Sequence, residues 1–205
     1  MRALRLCGFM LAAVALSAAS QPAQWTRTHA LAALVQPDPV ERLAGVERLA
    51  EIGTMADTDR VLDRLGDNDP RVRLASQASI WQIWSRSGDP QIDKLFAQGV
   101  QQMQVAALVD ALTTFNEIVS REPEFAEGWN KRATIYFLLG QNEKSLADCE
   151  EVFKRNPKHF GALSGAGQIH LQLGNPRRAL EFFRRAVEVN PNLDGAAQMI
   201  PLLEQ

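Results

Sequence analysis

The sequence predicts an all-α fold, an α-solenoid made of consecutive helix–turn–helix repeats. Two observations predict it. In the C-terminal half, three segments of similar pattern end at Pro123, Pro157 and Pro191, and these prolines are equally spaced. In the N-terminal half, two segments of similar pattern begin with Asp-Pro, at Asp38 and Asp69. Periods of roughly 20 to 50 residues indicate architectures in which each unit buries its apolar face against its neighbours.

The composition excludes some classes of function. Hydrophobic residues make up 46% of the chain, charged residues 22%, and the formal net charge is −2 at pH 7. Binding to nucleic acid needs a concentrated basic surface, so we expect no nucleic-acid partner. The three histidines do not have the spacing of a metal site. No nucleophile with a neighbouring base stands outside the repeat pattern, so we expect no metal, no cofactor and no enzymatic activity.

Residues 1–20 have the pattern of a secretory signal peptide. Arg2 and Arg5 supply the positive start, the run 6–19 is apolar and uncharged, and small residues surround Ser20. The apolar run is shorter than the roughly 20 residues that span a bilayer. We therefore expect an exported protein, periplasmic if the source is Gram-negative, whose mature chain has no membrane contact. A leader retained as a membrane anchor and a mitochondrial leader are the alternatives.

Residues 21–37 are predicted to be a flexible segment, and residues 38–89 to form helical repeats. Asp38 and Asp69 suit helix N-caps, and the proline after each suits the first helical position. Between them a short helix is predicted to turn three residues inward: Val61, Leu62 and Leu65. This pattern resembles the HEAT repeat in a short form. The helix after the third Asp-Pro, at Asp89, is expected to belong to both repeat types, with no flexible linker.

Three units of two helices each are predicted in residues 90–193. In the second unit, one helix face carries Trp129, Ala133 and Tyr136 at helical spacing. Gly140 then ends that helix, Gly174 has the same place in the third unit, and Ala106 stands there in the first. These residues resemble the tetratricopeptide repeat family, which implies a right-handed solenoid. The remaining residues, 194–205, are predicted to form a C-terminal capping segment.

Cys149 is predicted to be a packing residue. It occupies the position at which Phe115 and Phe183 stand in the neighbouring units. The acidic residues around it, Asp148 among them, are predicted to form the solvated face of the same helix.

The resemblance implies a concave groove, lined by the first helix of each unit, that binds a protein or peptide partner. The residues predicted to line it are Phe96, Val100, Asn130, Lys131, Thr134, Phe137, Gln168 and Gln172. Some family members hold a terminal carboxylate there with an Asn/Lys/Arg clamp. The third unit has Ser164 and Gly165 where further clamp residues are needed, so the clamp is not carried over. The predicted function is non-catalytic protein–protein interaction, as an exported adaptor or assembly factor.

Trp81 and Trp84 suggest an alternative. Tryptophan is favoured at interaction hot spots, so exposed tryptophans here would mark a partner site. The protein would then be a structural subunit of an enzyme or secretion complex, docked through this region or through its convex face. The other interpretation is that both tryptophans fill the junction between the two repeat types.

Overall fold

The computed structural model describes residues 25–205, and the helices of this part of the chain are joined by short turns, without a strand. The predicted signal peptide lies outside the described residues. The helices are α1 (Arg27–Ala33), α2 (Pro39–Ile52), α3 (Thr58–Leu62), α4 (Pro70–Trp84), α5 (Pro90–Gln104), α6 (Leu108–Arg121), α7 (Ala126–Leu138), α8 (Asn142–Arg155), α9 (Phe160–Gln172), α10 (Pro176–Val189) and α11 (Asp194–Leu203). The all-α solenoid expected from the sequence is confirmed.

The C-terminal half keeps one repeat register from helix to helix. The first helices of successive units begin at Ala126, Phe160 and Asp194, and the second helices begin at Leu108, Asn142 and Pro176, in both cases at a constant interval. Helix α11 therefore occupies the position of a further first helix. Its Ala196 is buried and packs with Ala179 and Phe183 of α10, which covers the apolar end of the solenoid.

The turn between the two helices of each unit requires a left-handed backbone. Gly140 has φ of +70° and Gly174 has φ of +72°. Ala106, at the equivalent position of the first unit, has φ of +58°. All three turns are closed in the same way, since the next residue donates its backbone N–H to a carbonyl five residues earlier, as Gln141 does to Tyr136 at 2.8 Å. Alanine thus adopts a conformation that favours glycine.

Cys149 lies in the core, as predicted. Its side chain is 3% exposed and belongs to a cluster with Ala133 and Leu163. Burial, followed by the nearby charges of Asp148 and Glu150, raises the pKa of this thiol to about 12, so it is held as an unreactive thiol. The prediction that Asp148 faces solvent is wrong.

Asp148 is buried because Arg132 of the facing helix α7 reaches it. The Arg132 guanidinium donates two hydrogen bonds of 2.7 Å to the Asp148 carboxylate. A paired arrangement of this kind compensates the loss of water around a buried charge. The ion pair therefore ties the two helices of the second unit together.

Helices α1 to α4, residues 27–84, form what we call the N-terminal block. Part of the segment predicted to be flexible belongs to it, because Arg27–Ala33 is helical. Ala30 and Leu34 lie on one side of this short helix, about one turn apart, and both are buried against Val46 and Leu49 of α2. The interior of the block also includes the residues predicted to turn inward: Val61, Leu62 and Leu65.

The N-terminal block does not share α5 with the repeats that follow. Ile92 and Phe96 of α5 pack with α6 and α7. By contrast, Ile80 and Trp84 of α4 are buried in one cluster with Phe160, the first residue of α9. The prediction of a shared helix is corrected accordingly, because the apolar face of α4 packs on α2 and, at its C-terminal end, on Phe160 of the third unit.

Candidate functional site

The first helices of the units, α5, α7 and α9, lie side by side and form one face of the solenoid. Equivalent positions of successive units fall into columns across this face. One such column is Val100, Thr134 and Gln168, and Leu202 of α11 continues it. This face is the predicted groove.

The N-terminal block covers the part of the groove where α7 and α9 begin. Trp81 of α4 lies against Gly161, where a Cβ atom would come within 2.4 Å of the Trp81 ring. The Trp81 ring is also 5.2 Å from the ring of Phe160, and the Lys131 ammonium lies 5.6 Å from its centroid. We call the part of the groove between the first turns of α7 and α9 the closed half, because Trp81 of the same chain occupies it.

A buried polar cluster lies below Trp81. The Glu127 carboxylate is fully buried, lies 2.9 Å from the Lys131 ammonium, and accepts a hydrogen bond of 3.1 Å from Asn130. His159 Nδ1 accepts the backbone N–H of Ala162 at 3.0 Å, which leaves Nε2–H to donate to Glu127 at 2.7 Å. Burial raises the pKa of Glu127, but the hydrogen bond from His159 and the positive charge of Lys131 outweigh it, and the net shift is downward.

This cluster explains why Asn130 and Lys131 cannot act as a free clamp. Both are committed to Glu127, an internal carboxylate of the same helix. A partner's carboxylate would have to compete with one that is already held in place. Glu127 was the residue whose role the sequence did not reveal, although a Lys four residues later is the usual signal for a helical ion pair.

Trp84 is a junction residue. It is 2% exposed, and its ring stacks on His159 with 4.4 Å between ring centroids. The junction also has polar contacts, since Asn192 donates to the carbonyl of Leu65 at 2.8 Å and Asn190 donates to Gln77 at 3.0 Å. Buried Trp84 cannot serve as an exposed hot spot. Both tryptophans fill a junction, as one interpretation predicted, but the junction is with α9.

The predicted groove residues separate into three groups by exposure. Those exposed are Thr134, Gln168 and Gln172, those partly buried are Val100, Lys131 and Phe137, and those buried are Phe96 and Asn130. Phe96 packs edge-on against Phe115 and Phe125. Phe96 and Asn130 therefore support the groove from below and do not line it.

The groove stays open between α9 and α11, which we call the open half. A pocket of about 440 Å³ lies there. Its lining residues are Ser164, Gln168, Leu171, Phe183, Asn192, Leu193, Asp194, Gly195, Ala196 and Met199. The walls are thus mainly apolar, with two amides, a hydroxyl and a carboxylate.

Other kinds of site are not found in the described part of the chain. Residues 25–205 contain no cluster of His, Cys, Asp and Glu side chains able to hold a metal ion. Within the same range, none of the helices combines the length and the apolar character needed to cross a bilayer.

Comparison with known proteins agrees with the repeat register. Two models of the tetratricopeptide repeat match residues 126–159 and 160–193. Among solved structures, the first TPR of Spaghetti bound to an HSP90 peptide has a TM-score of 0.54 at 21% identity, covering 57% of this chain and 94% of that one. The Yersinia enterocolitica secretion chaperone SycD, in complex with a translocator peptide, has the same TM-score and coverage at 15% identity. At these identities the likeness shows the fold alone.

Relatives by sequence include proteins of different length. Anaphase-promoting complex subunit 7 of Dictyostelium discoideum is 34% identical over 85 residues, which are 42% of this chain but 15% of that protein. A TPR repeat-containing protein of Rhizobium etli is 31% identical over 144 residues, covering 70% of this chain and 70% of that protein. With this relative and the two matched repeats, the chain belongs to the tetratricopeptide repeat family.

Proposed function

We propose that this protein is a non-catalytic interaction module whose groove binds a segment of a partner protein. The observation that carries the proposal is the open half, where exposed Gln168 and the apolar pocket beside it face the groove. Apolar anchors with a few amides suit an extended or helical segment. The peptides bound to the structurally similar Spaghetti and SycD domains support a ligand of this class.

We further infer that the protein acts outside the cytoplasm as an adaptor or assembly factor. What supports this is the leader pattern of residues 1–20. The N-terminal residue of the protein purified from its source, measured by mass spectrometry, tests it. An N-terminus near residue 21 is expected, whereas an intact N-terminus on protein that stays in the cytosol contradicts export.

A second candidate is a structural subunit that docks outside the groove. Val105, Leu139 and Leu173 occupy equivalent positions of successive units, at the turns between helices, and are 70%, 37% and 37% exposed. Such a row of exposed apolar side chains can serve as a contact surface. It replaces the Trp81/Trp84 region as the place where this alternative is tested.

The test is photo-crosslinking of partners in the source organism, with variants that block one surface at a time. Thr134→Arg and Gln168→Arg place a long charged side chain at exposed positions of the groove, so the fold is expected to persist. Ala147→Arg, at an exposed position of α8, is the matched control, and Leu139→Glu disrupts the row at the turns.

A partner retained by Ala147→Arg and lost by Gln168→Arg, the groove variant that faces the open half, is the expected result. Loss with Leu139→Glu, together with full retention by Thr134→Arg and Gln168→Arg, would show that the second candidate is correct. Circular dichroism of each variant checks that the helices remain formed.

A further inference from the structure

We propose that the pocket between α9 and α11 is an anchor site for a large apolar side chain, best an aromatic ring, with a Lys or Arg next to it. This inference rests on the proposed function and specifies the chemistry of the partner. The supporting observation is that Trp81 of the same chain fills the equivalent position one repeat earlier.

The equivalence follows from the repeat register. Gly195 of α11 has the place that Gly161 has in α9, since each is the second residue of its helix. At Gly161 the missing Cβ makes room for the Trp81 ring, which comes within 2.4 Å of the ideal Cβ position. At Gly195 no heavy atom lies within 4 Å of that position. The same kind of site is therefore filled between α7 and α9 and open between α9 and α11.

The walls of the open site suit the same kind of occupant. Leu171, Leu193 and Met199 are partly buried, and all three line the pocket. Its volume of about 440 Å³ exceeds that of one side chain, so an aromatic ring fits together with part of the helix or strand that carries it. Aromatic anchors in such pockets contribute most of the affinity in many interfaces.

The charge at the rim of the pocket determines which residues of the partner are favoured beside the anchor side chain. Asp194 is the one charged side chain among the described residues that line the pocket, and it is exposed at its rim. Lys131, a cation of the groove on α7, is bound to the internal Glu127. A cationic neighbour of the anchor would meet Asp194, whereas an acidic one would be repelled. The site is thus complementary to a basic aromatic segment, in contrast with the acidic SRMEEVD peptide held by the Spaghetti domain.

One substitution is expected to fill the pocket without destabilising the fold. Gly195→Leu adds a side chain into open space on a helix, where glycine is less favourable than leucine. Asp194→Lys reverses the charge at the rim and leaves the apolar walls in place. Ala147→Leu adds a comparable side chain on the exposed face of α8 and is the control.

The experiment is selection of a phage-displayed library of random peptides on the full chain, followed by titration of synthetic selected peptides. We expect peptides rich in Trp or Phe beside Lys or Arg. Gly195→Leu should weaken their binding at least about tenfold, which corresponds to about 1.4 kcal/mol. Ala147→Leu should weaken it less than about twofold, and Asp194→Lys should shift the selection towards acidic neighbours.

Each other outcome overturns a specific claim. Selected peptides that bind Gly195→Leu as tightly as the wild type, but are lost with Gln168→Arg, overturn the anchor site and leave groove binding intact. Selected peptides indifferent to every groove variant, or a library that yields no peptide on the wild type, overturn the proposed function itself. Selected peptides that are acidic overturn the assignment of charge.

Discussion

Ala133 and Cys149 form a pair whose equivalents differ in the neighbouring units. In the first unit Gly99 faces Phe115, and in the third Gly167 faces Phe183. A Cβ on either glycine would lie 2.7 Å from a ring carbon of the facing phenylalanine. In the second unit, alanine therefore accompanies a smaller partner, cysteine. We predict that the two positions are energetically coupled.

The magnitude follows from the packing distances. Carbon atoms in contact are about 3.5 to 4.0 Å apart, so Cys149→Phe alone would force a ring against the Ala133 methyl. Such overpacking destabilises by about 1–3 kcal/mol, and Ala133→Gly alone costs about 1–2 kcal/mol in helix propensity and a small void. The double variant recreates the arrangement of the other units, and we expect a favourable coupling energy of about 2 kcal/mol.

Urea denaturation of the wild type, the two single variants and the double variant, followed by circular dichroism, measures this coupling energy. A double variant more stable than the Cys149→Phe single variant is the expected result. Strictly additive effects would refute the claim that the glycine makes room for the ring. The reverse exchange in the third unit, Gly167→Ala with Phe183→Cys, should show coupling of the same sign.

Three further predictions concern other parts of the chain. Ala106→Gly should raise the free energy of unfolding by up to about 1 kcal/mol, because it removes left-handed strain that exceeds the added freedom of the unfolded chain; a loss of stability in urea denaturation would contradict it. Gly161→Ala should displace Trp81 and destabilise by about 1–3 kcal/mol, with altered tryptophan emission, whereas an unchanged spectrum would contradict the close contact. The hydrogen bond from Arg42 lowers the pKa of Asp67 more than burial raises it. The ionised Asp67 therefore stabilises the folded state above its unfolded pKa of about 3.9, and this stabilisation is lost as the pH falls through the lower pKa of the folded state. Thermal unfolding between pH 7 and pH 3 should therefore depend less on pH in Asp67→Asn than in the wild type, and identical pH dependence would contradict this.

The repeats of the C-terminal half could be predicted from the sequence because their signals are local. Prolines at one spacing, glycines at the turns and apolar residues at helical intervals each determine structure within a few residues. Even the exception, Ala106, could be located from the register, although its positive φ could not. The core position of Cys149 followed from its phenylalanine equivalents in the same way.

The half of the groove that is closed could not be predicted, because it depends on a contact between distant segments. Trp81 and Gly161 are far apart in sequence, and the residues around each of them do not indicate a contact with the other. The sequence placed Asn130 and Lys131 on the groove helix, as their repeat positions require. Only the structure, with His159 and Trp81 packed beside them, shows that Asn130 and Lys131 bind the buried carboxylate of Glu127.

A partner that binds in the open half of the groove should protect the helices on either side of it. Hydrogen–deuterium exchange of the full chain, with and without a selected peptide or a captured partner, measures this protection helix by helix. We predict slower exchange in α9 and α11, residues 160–172 and 194–203, with little change in α6 and α8. Protection confined to α6, α8 and α10 would show that the partner binds outside the groove.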